Sequence, residues 1–361
     1  MKIAIIDGGI LCQDDLKNKI LKKKNFTCER KNTITKSALI HGTTCARIIA
    51  EMNPKIEIYD LSIMYSDGFS NMRVLLKALE WCIQNQVKFI HMSIGTINYF
   101  DIEPLEKCVK KLLKQNTIIV AAYHNNNIRT YPACFPGVFG VRQDREGVLC
   151  ENQFMFQQQA GICCENLIVA HRWGSQGETA SNSYAAPVIS GYITKFLEHK
   201  PEAKFQQVSK FLKCKSEKGQ EYPSALQKVL RKKRSIEIPI IVGLGLFCDE
   251  MLQLRNCFTK SGYGVVILQE IKTTSDAIPM DYYFEENISF GDFIYTVNEI
   301  YKPDVIMLDS INGNVFDVDK ESQIDVCIMR EKKKYKICAY KTIKIAETMS
   351  QVYTMICQFF Q

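Results

Sequence analysis

Between Met1 and Ala122 short apolar runs alternate with helix-like segments, and that rhythm most narrows what this chain can fold into. The apolar runs are Lys2 to Ile6, Ile56 to Leu61, Val87 to Met92 and Thr117 to Ala122. Between them lie Gly42 to Met52, Met72 to Asn85 and Leu105 to Lys114, which carry helical periodicity. In the second of these, Val74, Leu75, Ala78, Leu79 and Cys82 fall on one face, and Ser70 and Asn71 precede it as caps. Strands that alternate with helices predict a mostly parallel sheet covered by helices, an α/β fold.

From Asn125 to Ser183 the texture changes to Gly, Pro and Gln-rich sequence with short strand-like pieces at Val138 to Val141 and Leu167 to Ala170, the composition of loops that wall a site. Tyr184 to Leu197 then reads as a helix, with small Ala185 and Ala186 allowing close packing and Pro187 tolerated only in its first turn. That places Ser183 at a helix N-terminus. Lys213 to Arg234 is charged and poor in large apolar residues, which suggests the end of a domain and a linker. With 361 residues and 46% apolar composition, two domains are expected: residues 1–215, a charged linker 216–235, and a smaller C-terminal α/β domain 236–361. The second is expected to run strand Ile238 to Val242, helix Glu250 to Ser261, strand Val265 to Leu268, helix Phe290 to Tyr301, strand Val305 to Leu308 and a closing helix near Lys344 to Phe360.

Several function classes are disfavoured. Lys and Arg total 46 against 39 Asp and Glu, and the basic runs Lys22 to Lys24, Arg231 to Arg234 and Lys332 to Lys334 read as solvated surface, so no nucleic-acid partner is expected. No apolar stretch approaches the roughly 20 residues that cross a bilayer, so no membrane insertion is expected. Fifteen cysteines, an odd count with Cys163 and Cys164 adjacent, suit no disulfide framework. With no export segment before Lys2, reduced thiols and a cytoplasmic location are expected. The acidic pairs Asp14-Asp15 and Glu285-Glu286 lack calcium-loop spacing, and no metal or cofactor is expected. Gly243-Leu244-Gly245 follows a strand without a third spaced glycine or a Gly-Lys-Ser/Thr, so the second domain is expected to bind a peptide, a partner or a second copy rather than a nucleotide.

Four segments carry chemistry-bearing residues. Ala4-Ile5-Ile6-Asp7-Gly8-Gly9 ends an apolar strand in a carboxylate, at the sheet edge where α/β sites form, although Asp before Gly-Gly is also an ordinary turn. His41-Gly42-Thr43 opens a helix-like segment. Ile118 to Asn125 is an apolar strand with a polar tip whose amide is either a turn residue or a donor to a developing oxyanion. Ser183 precedes small residues and a helix, as a nucleophile or equally as an N-cap.

In this order the segments resemble the subtilisin-like serine peptidases over roughly Met1 to Thr194. Ser183-Tyr184-Ala185-Ala186-Pro187 and the apolar stretch to Gly191 match the second half of the family's serine motif. His41-Gly42-Thr43 with Ala46 matches its histidine motif, Ile90 to Gly95 is similar to its substrate-pairing strand, and Tyr131-Pro132-Ala133 to the segment after its oxyanion asparagine. The resemblance implies a serine endopeptidase acting on peptide or protein substrates, with an Asp7, His41, Ser183 triad, Asn125 as oxyanion donor, and Ser93, Ile94 and Gly95 pairing with an extended substrate. Of the five histidines only His41 has the expected motif. An intracellular setting suggests processing of a peptide precursor, and a catalytically inactive binding scaffold is the alternative. The chain departs from the family at Ser181-Asn182, where Gly-Thr is usual, at Tyr123-His124 in place of Ala-Gly, and at Gly8 in place of Ser or Thr. Tyr123 and His124 are expected to narrow the first specificity pocket or alter its polarity.

Overall fold

The computed structural model describes residues 1–12, 14–27, 36–65, 68–125, 128–156, 166–171, 181–217, 237–270, 274–280, 290–310, 324–330, 339–345 and 348–360. They fall into two compact units, Met1–Ala225 and Leu226–Gln361. All but the first two residues of the expected 216–235 linker lie outside the described residues.

In the first unit β1 (Lys2–Asp7), α1 (Asp14–Lys17), β2 (Ile20–Asn25), α2 (Lys36–Met52), β3 (Glu57–Ser62), α3 (Met72–Gln84), β4 (Phe89–Met92) and α4 (Ile102–Lys114) lead to β5 (Ile118–Ala122) and β6 (Phe139–Gln143). Then come β7 (Phe154–Phe156), β8 (Leu167–Ala170), α5 (Asn182–His199) and α6 (Phe205–Lys215). The strands form one sheet in the order β2-β3-β1-β4-β5-β6-β8-β7, parallel except for β7 against β8. Apart from Lys2, every residue of β1, β4, β5, β6 and β8 is buried, as strands covered on both faces must be. Ile3, Ile5, Phe89, Val120, Phe139 and Ile168 from the sheet pack with Ile49 of α2 and Ile189 of α5. Each such side chain contributes roughly 1.5–3 kcal/mol through burial.

Parallel order brings the C-terminal ends of β1, β4 and β5 to one edge, where Asp7, Ser93 and the 123–125 segment emerge beside one another. Two helices close on that edge, and both differ from expectation. α2 begins at Lys36, not Gly42, so His41 lies in its second turn. Gly42 looks like a helix start but serves a close approach: a Cβ there would strike the Gly9 carbonyl oxygen and stand 3.3 Å from Asp7 Cβ. In α5, Pro187 lies in the second turn rather than the first. It has no N–H for the Ser183 carbonyl four residues back, and the Ser93 hydroxyl donates to that carbonyl instead, at 2.8 Å. The run Lys22 to Lys24, read as solvated surface, is part of edge strand β2, where lysines discourage edge pairing; Lys23 also reaches Asp60 at 3.3 Å.

The second unit runs β9 (Ile240–Leu244), α7 (Cys248–Lys260), β10 (Val265–Gln269), β11 (Ile278–Pro279), α8 (Phe290–Tyr301), β12 (Val305–Ser310), β13 (Ile324–Met329), β14 (Ala339–Lys344) and α9 (Met349–Phe360). Its sheet is parallel throughout, in the order β11-β10-β12-β9-β13-β14. The closing helix starts at Met349 and not near Lys344, because residues 339–344 are a strand paired with β13. The expected basic runs at 231–234 and 332–334 lie outside the described residues. No helix among the described residues is long and apolar enough to cross a membrane.

Because the Gly9 backbone cannot yield as a flexible side chain would, Gly42→Ala is expected to destabilise the first unit by about 1–3 kcal/mol, the usual overpacking penalty. Urea unfolding of the variant beside the parent chain measures it.

Candidate active site

Asp7 closes β1 with its side chain fully buried, and a buried carboxylate needs donors. It has two: the Gly8 N–H at 2.6 Å and His41 Nδ1, at 2.8 Å from Oδ1 and 3.0 Å from Oδ2. A proton on Nδ1 directed at the carboxylate leaves Nε2 as the basic nitrogen. Burial pulls the His41 pKa down, but the charge of Asp7 and its hydrogen bond outweigh that, and the net result lies above the ordinary 6.5. The Tyr184 ring stands 5.4 Å from the imidazole, between centroids, tilted against it.

Ser183 is the second residue of α5, and its neighbours fix the start of that helix. Ser181 is the N-cap, its hydroxyl oxygen accepting the Ser183 N–H at 3.2 Å. Buried Asn182 ties three segments together. Its Oδ1 accepts the Gln143 N–H of β6 at 3.0 Å, and its Nδ2 donates to the Tyr123 and His124 carbonyls at 3.1 and 3.0 Å. The Asn182 N–H donates in turn to Asn125 Oδ1 at 2.9 Å, while the Asn125 carbonyl accepts from the Arg145 guanidinium. Asn125 Nδ2 then faces Ser181 Oγ, 3.5 Å away. The Ser183 hydroxyl donates to the Ser93 carbonyl at 3.3 Å, and no hydrogen bond joins it to His41 Nε2 in this structure. Asp7 and His41 are thus bonded, with Ser183 beside them but turned to another acceptor.

A chain of hydrogen bonds beneath Ser183 brings in His91 and Ser190, to which the sequence assigns no role, and gives Ser93 a part besides the expected substrate pairing. Ser93 Oγ gives its one hydrogen to the Ser183 carbonyl, so it must accept from His91 Nε2, 3.0 Å away. His91 Nδ1 is then unprotonated and accepts from the Ser190 hydroxyl at 2.9 Å. His91 is fully buried, and burial holds its pKa down near 4. A signal existed: His91 and Ser93 are two apart across the end of β4, and Ser183 and Ser190 are seven apart on one helix, so each pair shares a face. Cys45 adds its thiol, 3.4 Å from Ser93 Oγ and 3.5 Å from the Ser183 carbonyl.

Asp7, His41 and Cys45 place potential metal-ligand atoms within 4.8 Å of one another, yet the donor set does not suit an ion. Burial drives the Cys45 thiol well above its ordinary pKa, keeping it protonated, and the Asp7 carboxylate already holds two N–H groups.

Beyond β4, Ser93 is buried, Ile94 half-buried and Gly95 exposed. Thr96 forms an isolated antiparallel bridge to Tyr131, with bonds of 2.8 and 2.9 Å. Ile94 and Gly95 make no backbone hydrogen bonds among the described residues, and a Cβ on Gly95 would lie 2.7 Å from the Tyr131 carbonyl oxygen. Tyr123, expected to crowd the first specificity pocket, is instead turned into the core. It is 3% exposed, with the Arg142 guanidinium 4.0 Å over its ring and the Cys134 thiol donating to its hydroxyl at 3.1 Å. His124 is half-buried, its pKa lowered by burial and by the charge of Arg145.

The profile of the Subtilase family matches residues 1–229. The minor extracellular protease Epr of Bacillus subtilis (strain 168) is 28% identical over 158 residues, 40% of this chain and 24% of that protein. Subtilisin DY of Bacillus licheniformis is 25% identical over 230 residues, 58% of this chain and 80% of that protein. The chain thus spans only about a quarter of the first of these relatives. Among solved structures, a cold adapted subtilisin-like serine proteinase aligns at a TM-score of 0.47 and 16% identity, covering 59% of this chain and 81% of that one. A lanthipeptide protease aligns at 0.45 and 14%, covering 59% and 78%.

The low pKa of His91 has a consequence for stability. Between about pH 6.5 and 4 the unfolded chain takes up a proton at His91 that the folded chain refuses. The stabilisation is therefore complete above 6.5 and is lost as pH falls toward 4, a loss on the order of 3 kcal/mol. His41 has the opposite sign, since its raised pKa gives stability present below 6.5 and lost as pH rises through the folded value. Unfolding free energies at pH 7 and pH 4.5, for the parent and His91→Gln, are expected to show a smaller acid loss in the variant.

Proposed function

The chain belongs to the subtilase family, and from that premise we propose that it is a serine endopeptidase using Asp7, His41 and Ser183, with Asn125 as an oxyanion donor. The observation that carries the reading is the Asp7 to His41 hydrogen bond, which orients an imidazole with a free basic nitrogen beside the N-terminus of the Ser183 helix.

An extended peptide pairs with the open backbone of Ile94 and Gly95, as strand addition requires. The Ser183 hydroxyl leaves the Ser93 carbonyl for His41 Nε2, a rotation of one side chain; hydrogen bonds of this kind commonly form only when substrate is present. Its oxygen then attacks the scissile carbonyl carbon as the proton passes to Nε2. Asp7 stabilises the resulting imidazolium, and the oxyanion is held by Asn125 Nδ2 and the Ser183 N–H. His41 gives the proton to the departing amine. Water repeats the sequence on the acyl-enzyme and restores Ser183.

The reading extends to an intracellular, reducing setting, supported by eleven described cysteines that are all free thiols, with Cys12, Cys150 and Cys214 exposed. It also extends to peptide precursors as substrates. The second unit is assigned to holding a peptide, a partner or a second copy of the chain.

Incubation of the full chain and Ser183→Ala with a diverse peptide library, read by mass spectrometry, is expected to give cut products only from the parent. Products from neither chain would favour the inactive scaffold, and products from both would remove Ser183 as nucleophile. kcat/KM is expected to fall on acidification through a pKa above 6.5, as His41 takes up the proton that bars it from acting as base.

A further inference from the structure

Two donors converge on one hydroxyl at the start of α5. The Ser183 N–H points at Ser181 Oγ over 3.2 Å, and Asn125 Nδ2 stands 3.5 Å from the same atom. The amide orientation follows from its other end, because Asn125 Oδ1 accepts the Asn182 N–H and so Nδ2 must face Ser181. These are the two groups that hold the oxyanion in the mechanism proposed above. Where a backbone N–H and a side-chain amide meet at a single acceptor is where a developing O⁻ would lie. In this protein one of its own oxygens already stands there.

We infer, resting on that oxyanion reading, that the Ser181 hydroxyl is an internal occupant of the oxyanion site in the resting enzyme, displaced by substrate when Ser181 turns to another side-chain rotamer. The sequence agrees, since position 181 is where the resembling serine motif carries glycine, which has no side chain to place there. The backbone does not demand this serine: at φ −140° and ψ 140° residue 181 is in extended conformation open to any residue. Both contacts are longer than the roughly 2.7–2.9 Å typical of an N–H donor bonded to a charged oxygen. The neutral hydroxyl is therefore held loosely and gives way to an anion that draws both donors in. Until then it competes with the substrate carbonyl, so Ser181 lowers kcat/KM and acts as a positioning residue rather than a catalytic one.

The test is a double-mutant cycle in the full chain, with Ser181→Gly, Ser181→Ala, Asn125→Ala and Ser181→Gly/Asn125→Ala. Glycine is itself an accepted N-cap, so the helix start survives, and the thermal midpoint of each variant checks it. Both Ser181 variants are expected to raise kcat/KM by about tenfold, the scale of one neutral hydrogen bond that no longer competes. Each is also expected to tighten a peptide boronate, whose tetrahedral adduct places an oxygen in the same site. In the Asn125→Ala background the gain should shrink, because one of the two contacts is already gone. If Asn125→Ala lowers kcat while both Ser181 variants leave kcat/KM unchanged or reduced, the internal occupant is overturned and the oxyanion reading stands. If Asn125→Ala leaves kcat unchanged, both fall.

Discussion

The hydrogen bond between Asp7 and His41 is the constraint around which the first unit is built. Asp7 is wholly buried at the end of β1, and a carboxylate in that position costs several kcal/mol unless donors reach it. The imidazole can reach only if α2 lies almost against the β1 turn, and the glycines on both sides allow this. A Cβ on Gly42 would strike the Gly9 backbone, and a Cβ on Gly8 would strike that of Ala38. The helix must also run past His41 in both directions to be anchored, and it does so with Ala38 on one side and Cys45, Ala46 and Ile49 on the other, all buried. A feature that looks like functional chemistry is therefore also a packing requirement. The same closeness makes the imidazole more basic, because the nearby carboxylate outweighs burial.

A second constraint follows from Pro187. A proline one turn after Ser183 leaves that residue's carbonyl without its helical donor, and an unpaired carbonyl near the core is costly. Ser93 fills the vacancy from just beyond the end of β4, His91 fixes which way Ser93 points, and Ser190 fixes the tautomer of His91. The start of α5 is thereby bolted to the end of β4 through side chains whose hydrogens each have one assignable direction. A position that breaks a helix rule thus becomes the point where helix and sheet are held in register. Such a chain works only with a neutral His91, which explains how a histidine is tolerated among the side chains of β4.

Much of this was legible in the amino-acid sequence, and the gaps have physical causes. Buried parallel strands are continuous apolar runs, so β1, β4 and β5 stand out, and α8 is expected and found over Phe290–Tyr301. Asp7, His41, Asn125 and Ser183 lie within recognisable motifs, and the structure brings these four to one sheet edge. β2 was missed because an edge strand can carry Lys22, Lys23 and Lys24 outward without an apolar signature. β14 was missed for a similar reason, with three consecutive exposed residues at Tyr340, Lys341 and Thr342. Gly42 and Pro187 misled about where α2 and α5 begin, because local propensity knows nothing of the distant Gly9 backbone or of a serine just beyond the end of β4. The His91 chain had only the spacing of its partners as a signal, because a buried histidine in an apolar strand has no motif. Its meaning lies in Ser190, which is 99 residues distant.

In the mechanism proposed above, the site keeps its hydroxyl and its two N–H donors ready without leaving them unsatisfied. A cleft that exposed a free hydroxyl and two N–H donors would hold water tightly, and substrate would have to strip it away. Here the Ser183 hydroxyl rests on the Ser93 carbonyl, while the Ser183 N–H and the Asn125 amide rest on Ser181. Each contact is an exchangeable neutral hydrogen bond at 3.2–3.5 Å, so in that mechanism a peptide would replace partners one for one and leave the count nearly constant. What changes is the charge of the acceptor. A neutral hydroxyl or carbonyl holds these donors weakly, whereas the oxyanion of a tetrahedral intermediate holds them about twice as strongly. Exchange of this kind would give little to ground-state binding and reserve its gain for the transition state, as differential binding requires.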